Sequence, residues 1–504
     1  MKKNKELLWN TITPLILEVV TIFSSFVIPR LIILKYGSEV NGLVQSIAHF
    51  LSIIAFLEMG VGSVVRYNLY KPLENHDKEQ LSKVVVSGIH FFRKIAGILL
   101  IYTIGLMIIY PILHYNKFGA IYTALLIGSM CISSFAQYYF GQMNQILLIA
   151  DQKGYIQYCS QIITILLNTI VTVYIVKLNY SIQFVKLSTS IIFLLRPLFL
   201  SYYVRKNYGI NYKIEIKSEP IKQKWNGVAQ HISSVVLENT DVIILTVFST
   251  LSDVSVYSAY VLIVGGIKKL ITTATSGIQS KIGHVIAQEN EFKLNKIFSY
   301  TEWVIHTAST FLFGCSCALI VPFIMVYTRG ITDANYYVPL FGIFITLANF
   351  GHSLRLPYSI IILSAGHYKQ TQKNYIIAAS MNVVISAVVV KQFGLIGVAV
   401  GTLIAMIYQT IWMANYCYFN ILHMAINRFW KQLFVDVASI SISIIASFNI
   451  SINEFTYFNW IKIAIPFSII YALLLFIINS FAYRHIINNV INIIIEARKI
   501  KKIK

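Results

Sequence analysis

The residues of this chain best suited to chemistry are cations set inside long apolar segments. They are Arg30, Arg196, Lys268, Lys269 and Arg355. An ionisable side chain in hydrocarbon costs about 2.5–3.5 kcal/mol on insertion scales, so it usually faces a partner or a water-filled cavity. A guanidinium forks onto two oxygens of a phosphate, whereas an ammonium group acts as a compact point charge. The five cations therefore predict a site for an anionic, phosphate-bearing ligand.

Each of these cations also has a purely structural explanation. Arg30 lies within a turn of a predicted helix end, where a long side chain can reach the membrane surface. Lys268 and Lys269 are adjacent and point about 100° apart on a helix, so at most one of them is expected to face a shared cavity. Arg196 and Arg355 lie deeper in their segments. These two are the strongest candidates for ligand binding.

Four carboxylates in similar segments are candidates for binding a coupling cation or proton. They are Glu18, Glu58, Glu238 and Asp241. Most of them belong to two polar stripes at helical spacing: Thr11, Glu18, Thr21 and Ser25, and His231, Ser234, Glu238 and Asp241. Either the two stripes line one central cavity, or each makes hydrogen bonds between helices of its own half. No metal site and no cofactor is predicted, apart from a coupling Na⁺ or H⁺.

The composition excludes an ordinary soluble protein. Of 504 residues, 57% are hydrophobic and 12% are charged, against about 45–50% and 25% in soluble domains. The sequence has no Gly-rich phosphate loop and no His-Glu-x-x-His motif, and its five cysteines form neither a disulfide framework nor a zinc spacing. We therefore expect a multi-pass membrane protein that is not an enzyme and does not hydrolyse ATP.

The chain contains fourteen apolar segments bounded by polar clusters, and most reach the ~20 residues that a membrane-spanning helix needs. The segments are residues 8–34, 42–65, 84–112, 120–140, 155–176, 182–203, 225–248, 254–276, 301–327, 338–363, 375–390, 395–419, 433–450 and 460–481. Membrane β-strands need only about ten alternating residues. The predicted architecture is therefore all-α, with about fourteen transmembrane helices.

The distribution of Lys and Arg predicts the orientation in the membrane. With the N-terminus in the cytoplasm, 31 of the 41 Lys and Arg lie in cytoplasmic tails and connections or in the cytoplasmic parts of spans, seven lie towards the outer side, and three lie deep within spans. This bias follows the positive-inside rule and places both termini in the cytoplasm. The formal net charge of +21 is thus explained by topology and contact with anionic lipids, and nucleic-acid binding is not expected.

An internal repeat predicts two lobes of the same orientation. A shift of 214 residues aligns Ser38-Glu39-Val40 with Ser252-Asp253-Val254, and Asn168 with Asn382. Such a repeat is typical of transporters whose substrate site lies between the two copies. The predicted division is an N-lobe at 1–205 (spans one to six), a basic cytoplasmic linker at 206–224, a C-lobe at 225–419 (spans seven to twelve), and spans thirteen and fourteen with a basic cytoplasmic tail at 420–504.

Several short motifs are similar to those of one transporter family. They are Pro29-Arg30-Leu31, Tyr36-Gly37-Ser38-Glu39-Val40-Asn41-Gly42, Leu69-Tyr70-Lys71-Pro72, Asp253-Val254-Ser255-Val256-Tyr257, Gly366-His367-Tyr368-Lys369-Gln370-Thr371-Gln372 and Gly394-Leu395-Ile396-Gly397. The chain resembles bacterial polysaccharide-biosynthesis membrane proteins, the lipid-linked oligosaccharide or O-antigen-type flippases of the multidrug/oligosaccharidyl-lipid/polysaccharide exporter superfamily. The resemblance extends over essentially the whole chain.

The resemblance implies a V-shaped bundle of two lobes in the cytoplasmic (inner) membrane. Its expected substrate is an undecaprenyl-diphosphate-linked oligosaccharide, moved to the outer leaflet by alternating access for capsule, O-antigen or other exopolysaccharide assembly. Arg355 matches an Arg-x-Pro motif of the family, Arg30 matches a cation at the end of span one, and Lys268 and Lys269 match a cation-bearing region. Gln409 departs from the pattern, because relatives often have arginine there.

Two other functional classes remain open from sequence. One is a cation-coupled drug exporter of the same superfamily, although carboxylates rather than buried Arg and Lys would suit cationic drugs. The other is a membrane polysaccharide polymerase or glycosyltransferase, although no large outer loop is predicted to carry its catalytic groups. For the flippase, the expected partners are membrane lipids, the polysaccharide polymerase and the chain-length regulator.

Overall fold

A computed structural model describes residues 2–113, 118–215, 228–288, 290–450, 452 and 454–484. In these residues every regular element is a helix, which confirms the predicted all-α class. The chain folds into two compact units, Met1–Ser255 and Val256–Lys504, here called the first and second units. The predicted linker at 206–224 lies partly outside the described residues, and the lobe boundaries at 205 and 225 stay a prediction.

In its described residues the first unit contains nine α-helices and the start of a tenth. Their bounds are α1 Lys2–Tyr36, α2 Ser38–Ser52, α3 Phe56–Glu74, α4 Lys78–Leu113, α5 Ala120–Ala136, α6 Gln142–Ala150, α7 Gly154–Lys177, α8 Ile182–Tyr208, α9 Val228–Phe248 and α10 Leu251–Ala287. A short 3₁₀ segment, Ile53–Ala55, separates α2 from α3, and a π-helical segment, Gln137–Gly141, joins α5 to α6. Helix α9 packs on α2, where Ser46 and Thr246 hydroxyls are hydrogen-bonded at 2.7 Å.

Over the part that the structure describes, the second unit contains the rest of α10 and seven further α-helices. Their bounds are α11 Glu291–Tyr327, α12 Pro339–Leu354, α13 Leu356–Ser364, α14 Tyr368–Phe393, α15 Leu395–Asn420, α16 Asn427–Ser447 and α17 Tyr457–Ala482. Helices α14 and α15 approach closely at Gly397 and Gly401. A Cβ on Gly397 would lie 2.7 Å from the Val389 carbonyl carbon, and one on Gly401 would lie 2.9 Å from the Ser386 nitrogen. The two glycines therefore serve close helix packing, as their spacing predicts.

Eleven stretches of helix in the described residues are long and apolar enough to cross a membrane. The other three predicted segments are also helical. Two of them are interrupted, because Ile53–Ala55 divides α2 from α3 and Arg355 divides α12 from α13; the third is α9, the helix that carries Glu238 and Asp241. Pro357 explains the second break, since a proline lacks the N–H that would continue the α-helical hydrogen bonds. All fourteen predicted segments thus correspond to a helix or an interrupted helix.

Polar contacts attach the last two helices to the rest of the second unit. The Ser443 hydroxyl on α16 donates to the Gly314 carbonyl on α11. The Tyr471 hydroxyl on α17 lies 3.3 Å from the Thr310 carbonyl and 3.2 Å from the Ser439 carbonyl. Gly314 has no side chain, which leaves space for the Tyr471 ring. Spans thirteen and fourteen are therefore packed onto α11 by buried hydrogen bonds as well as by apolar contacts.

Candidate functional site

Two of the predicted cations converge in the second unit around His352, at the end of α12. Arg355 is 8% exposed and lies at the break between α12 and α13. Its Nη2 lies 3.2 Å from His352 Nδ1. Lys268 is half-buried on α10, and the charges of Arg355 and Lys268 both act on the His352 imidazole. The charges of two side chains from separate helices therefore act on one half-buried ring.

Arg355 contacts side chains on three helices. Its Nη1 donates to the Gln409 side-chain oxygen on α15, and its guanidinium carbon lies 5.8 Å from the centre of the Tyr375 ring on α14. A guanidinium can only donate, so His352 Nδ1 must accept, which makes the imidazole the neutral Nε2–H tautomer. These contacts orient the guanidinium.

The adjacent lysines differ in exposure. Lys268 is half-buried, and its charge acts on the His352 imidazole, whereas Lys269 is exposed. Adjacent residues of a helix point about 100° apart. That at most one of the two lysines faces a ligand site stays a prediction.

The other two predicted cations belong to the first unit. Arg30 is half-buried on α1 and is not among the residues that line the cavity at Arg196. Arg196, on α8, lines a cavity of about 480 Å³ between α5, α6, α7 and α8. Its other lining residues are Ser133, Ser134, Gln137, Tyr138, Gln145, Gln161 and Phe193. The five predicted cations are thus divided between the units: Arg30 and Arg196 belong to the first, and Lys268, Lys269 and Arg355 belong to the second.

Arg196 is held by glutamines. Its Nη2 donates to the side-chain oxygens of Gln145, at 2.8 Å, and Gln157, at 2.6 Å. Its Nε is buried without a hydrogen-bond partner in the described residues, and no described carboxylate forms an ion pair with it. A buried donor left unsatisfied costs about 1–3 kcal/mol. Arg196 therefore contributes a positive charge to the lining of this cavity and keeps one buried N–H group unpaired.

The π-helical segment at Gln137–Gly141 shapes this cavity. Gln137 Nε2 donates to the side-chain oxygens of Gln142, at 2.8 Å, and Gln145, at 3.1 Å. At Gly141 the segment meets α8, since a Cβ there would lie 2.8 Å from the Pro197 Cβ and 2.9 Å from the Gln137 Oε1. Such π segments often occur at functional sites. The glycine thus allows α8 to bring Arg196 close to the glutamines.

Substituting alanine for Gly141 is expected to destabilise the protein and displace Arg196. A Cβ within 2.9 Å of both Pro197 and Gln137 forces backbone or side-chain shifts that cost about 1–3 kcal/mol. Thermal unfolding in detergent measures this loss. Gly97→Ala is the matched control, because a Cβ at Gly97 has nothing within 4 Å and alanine favours a helix by about 0.5–1 kcal/mol. Equal unfolding midpoints for the two variants would contradict the close packing at Gly141.

The four predicted carboxylates have different environments. Asp241 is 3% exposed on α9, Glu18 is half-buried on α1, and Glu238 is exposed. The side chains of Glu58 and His231 lie outside the described residues. A role for these carboxylates in binding a coupling ion stays a prediction.

The sequence reasoning missed a buried ionic network in the second unit. Glu302 and His306 are four residues apart on α11, and Asp436 is on α16; all three are at most 1% exposed. His306 Nδ1 lies 2.6 Å from Asp436 Oδ2, and Arg428 Nε lies 3.2 Å from Glu302 Oε2. Glu302 and Asp436 both fall inside predicted apolar segments. A carboxylate inside an apolar segment is the signal that made Glu18 and Asp241 candidates, so Glu302 and Asp436 could have been predicted from sequence in the same way.

The hydrogen bonds fix the position of one proton in this network. The Tyr358 hydroxyl donates to Glu302 at 2.8 Å, so it must accept from His306 Nε2 at 3.2 Å. Tyr418 also donates to Glu302, at 2.8 Å. His306 therefore carries a proton on Nε2, and a second proton lies between its Nδ1 and Asp436. Every ionisable side chain named in this network has a partner, which is the arrangement expected of a structural network.

Comparisons with known proteins identify the fold. No protein-family model matches the sequence, and no curated protein is similar to it. The structure of the lipid II flippase MurJ in an inward closed conformation aligns with a TM-score of 0.65 and 18% identity, covering 95% of this chain and 99% of that one. The eukaryotic MATE transporter AtDTX14 aligns with a TM-score of 0.57 and 12% identity, covering 87% and 99%.

A MATE protein in complex with MaL6 aligns with a TM-score of 0.51 and 14% identity, covering 79% of this chain and 95% of that one. At these identities the likeness concerns the fold. The chain is therefore an all-helical, multi-pass membrane protein with the fold shared by the lipid II flippase MurJ and the MATE transporters.

Proposed function

We propose that this chain is a flippase that moves undecaprenyl-diphosphate-linked oligosaccharides across the cytoplasmic membrane by alternating access. The observation that carries the proposal is the buried Arg355 at the break between α12 and α13, with the half-buried Lys268 on α10 of the same unit. A positive charge held away from bulk water is costly, and a bound anion lowers that cost. A diphosphate supplies several acceptor oxygens for a guanidinium and an ammonium group.

Further support comes from the fold and from the remaining cations. MurJ, whose structure covers 95% of this chain, is named as a flippase of lipid II, itself a lipid-linked molecule. The proposed orientation has both termini in the cytoplasm, as the Lys and Arg distribution predicts. Arg30 is a secondary candidate for a contact with the substrate. Among the three of these carboxylates whose side chains are described, Asp241 on α9 is the most buried, and it is our candidate for binding a coupling Na⁺ or H⁺.

A cation-coupled drug exporter is the second candidate, because MATE transporters share the fold. The two candidates differ in the charge that the site prefers. A cationic drug would be repelled by Arg355 and Lys268, whereas an anionic headgroup would be attracted by them. The charge of the transported molecule therefore distinguishes the flippase from the exporter.

The decisive measurement is leaflet transfer in liposomes that contain the purified protein and an undecaprenyl-diphosphate-linked oligosaccharide. Lys268→Gln is expected to slow transfer by about tenfold or more, the factor that corresponds to one hydrogen bond from a charged group. Lys269→Gln is the matched control, since Lys269 is the exposed neighbour on the same turn, and its transfer rate should equal that of the wild type.

Two results would overturn the proposal. One is wild-type protein that leaves the lipid-linked oligosaccharide in its original leaflet but exports a cationic dye, which would establish the drug exporter. The other is an equal loss of transfer in the Lys268 and Lys269 variants, because the site at His352 would then have no special part in recognition.

A further inference from the structure

Arg196 lies where two cavities of opposite character meet in the first unit. One is the glutamine-lined cavity of about 480 Å³ described above. The other, of about 570 Å³, lies between α7 and α8 and also includes Arg196. Its remaining lining is mostly apolar: Tyr155, Ile156, Cys159, Ser160, Ile163, Thr164, Leu167, Leu195, Phe199 and Tyr203. The guanidinium is thus the boundary between a polar chamber and an apolar groove.

The apolar groove is open to the surroundings of the helices. Ile163 is 66% exposed on α7, and Leu195 and Phe199 are 51% and 46% exposed on α8. In a membrane such exposed side chains contact hydrocarbon. From Tyr155 to Leu167 the groove follows twelve residues of α7, about 18 Å at 1.5 Å per residue, which is close to one leaflet of a ~30 Å hydrocarbon core.

The polar chamber suits a headgroup rich in hydroxyls. Gln137, Gln145 and Gln161 line it together with Ser133 and Ser134, and amides and hydroxyls both donate and accept hydrogen bonds. Among the described lining residues, Arg196 alone is charged. The chamber therefore favours an uncharged polar group attached to a single anion at Arg196.

The apolar groove, Arg196 and the polar chamber follow one another in the same order as the parts of one class of ligand. In a phosphate-bearing lipid the anion joins a hydrocarbon chain to a polar headgroup. We infer that the first unit holds a binding site for a polyprenyl phosphate lipid, with the phosphate on Arg196, the first part of the chain in the α7–α8 groove and the headgroup among the glutamines. The inference rests on the proposed function, and it adds a lateral exit for the lipid chain between α7 and α8.

The depth of Arg196 favours a lipid in transit over a resident phospholipid. Arg196 is fourteen residues from the first residue of α8 and twelve from the last, which places it about 20 Å from each end at 1.5 Å per residue. A resident phospholipid keeps its phosphate at the membrane surface. A phosphate held at the middle of a membrane-spanning helix therefore belongs to a lipid whose headgroup is crossing.

Cys159 provides a natural probe of the groove. It lines the apolar cavity and is partly exposed, whereas Cys131, Cys317 and Cys417 are buried. In a Cys315→Ser background, Cys159 is thus the one remaining partly exposed thiol among the five. Purified full-length protein is treated with N-ethylmaleimide alone, with undecaprenyl diphosphate, with undecaprenol, with phosphatidylglycerol or with inorganic diphosphate, and the alkylation rate of Cys159 is measured by mass spectrometry.

Undecaprenyl diphosphate is expected to slow alkylation of Cys159, and Arg196→Gln should weaken that protection about tenfold or more, as expected for loss of charged hydrogen bonds. Three control ligands should protect little: undecaprenol lacks the phosphate, phosphatidylglycerol lacks the polyprenyl chain, and inorganic diphosphate has no hydrocarbon chain. Arg205→Gln is the control, because Arg205 is an exposed cation near the end of α8. It should leave protection unchanged.

Three results would overturn the inference. Undecaprenyl diphosphate could leave the alkylation rate of Cys159 unchanged, or phosphatidylglycerol could slow alkylation equally. The third is that undecaprenyl diphosphate protects Cys159 in Arg196→Gln as well as it does in the wild type. An equal alkylation rate of wild type and Arg196→Gln without lipid confirms that the variant is folded. Liposome transfer separates the two proposals. If the protein transfers the lipid-linked oligosaccharide but the lipid does not protect Cys159, the Arg196 site is rejected and the flippase proposal stands. If the lipid protects Cys159 but no transfer occurs, the Arg196 site stands and the flippase proposal is rejected.

Discussion

Replacing Arg355 by glutamine is expected to slow leaflet transfer of a lipid-linked oligosaccharide by about a hundredfold, the scale of removing one partner of a desolvated charge contact. The guanidinium is 8% exposed, so a bound diphosphate would meet it with little screening by water. Glutamine keeps a polar side chain but removes the charge. The protein should still be inserted in the membrane at wild-type abundance, which an immunoblot of the membrane fraction checks.

A charge-swap variant distinguishes recognition from support of the fold. In Arg355→Gln/Gln409→Arg, the hydrogen-bonded pair observed between these residues keeps both chemical partners, and the positive charge moves from α12–α13 to α15. If the charge attracts the substrate, the double variant should recover transfer to within about tenfold of wild type, since coupled neighbours are non-additive. Recovery of thermal stability without recovery of transfer would instead assign Arg355 to the helix break alone.

Segment positions could be predicted from sequence because apolar length decides them, and all fourteen segments are helical in the structure. The breaks at Ile53–Ala55 and Arg355 were harder to predict. Hydropathy reports that a segment is buried in lipid, but it does not report where the backbone hydrogen bonds are interrupted. Pro357 gave a signal for the second break. Ile53–Ala55 contains neither proline nor glycine and gave none.

Candidate cations were also visible in the sequence, whereas their partners were not. Arg355 stands out as a charge near a proline, but Gln409, Tyr375 and His352 come from three helices and become neighbours only on folding. The same holds for Arg196, whose glutamine partners lie on α6 and α7. Spacing along one helix predicts shared faces, but it says nothing about which helices meet.

Arg196 differs from the ionisable groups of the network at Glu302 in one physical respect. Arg428 meets a carboxylate, Glu302, and His306 meets another, Asp436. The hydrogen bonds from Arg196 go instead to the side-chain oxygens of Gln145 and Gln157. A charge neutralised by an internal partner has little left to attract a ligand, whereas a charge oriented by neutral dipoles keeps its field. This contrast supports the proposed ligand binding at Arg196 and a structural role for Asp436.

Asp436→Asn is accordingly expected to be the most destabilising single substitution considered, at about 3–5 kcal/mol for breaking a buried ion pair. Asp436 accepts from Thr310 at 2.9 Å and from Gln432 at 3.0 Å, in addition to its contact with His306. In Asp436→Asn, an amide nitrogen takes the place of one carboxylate oxygen. This nitrogen donates hydrogen bonds, so it would meet another donor where the oxygen had accepted one. Thermal or denaturant unfolding in detergent measures the loss, and Glu454→Gln, at an exposed position, should change stability by less than about 0.5 kcal/mol.

The double variant His306→Gln/Asp436→Asn tests whether the two side chains stabilise the protein as one unit. Two neutral amides can hydrogen-bond to each other, so the double variant should be more stable than the sum of the single losses predicts, with a coupling energy of about 0.5–3 kcal/mol. The folded fraction of each variant should transfer lipid-linked oligosaccharide at the wild-type rate, because the network supports the attachment of α16 to α11. Wild-type stability combined with lost transfer in Asp436→Asn would instead make the proton between His306 and Asp436 part of the transport cycle.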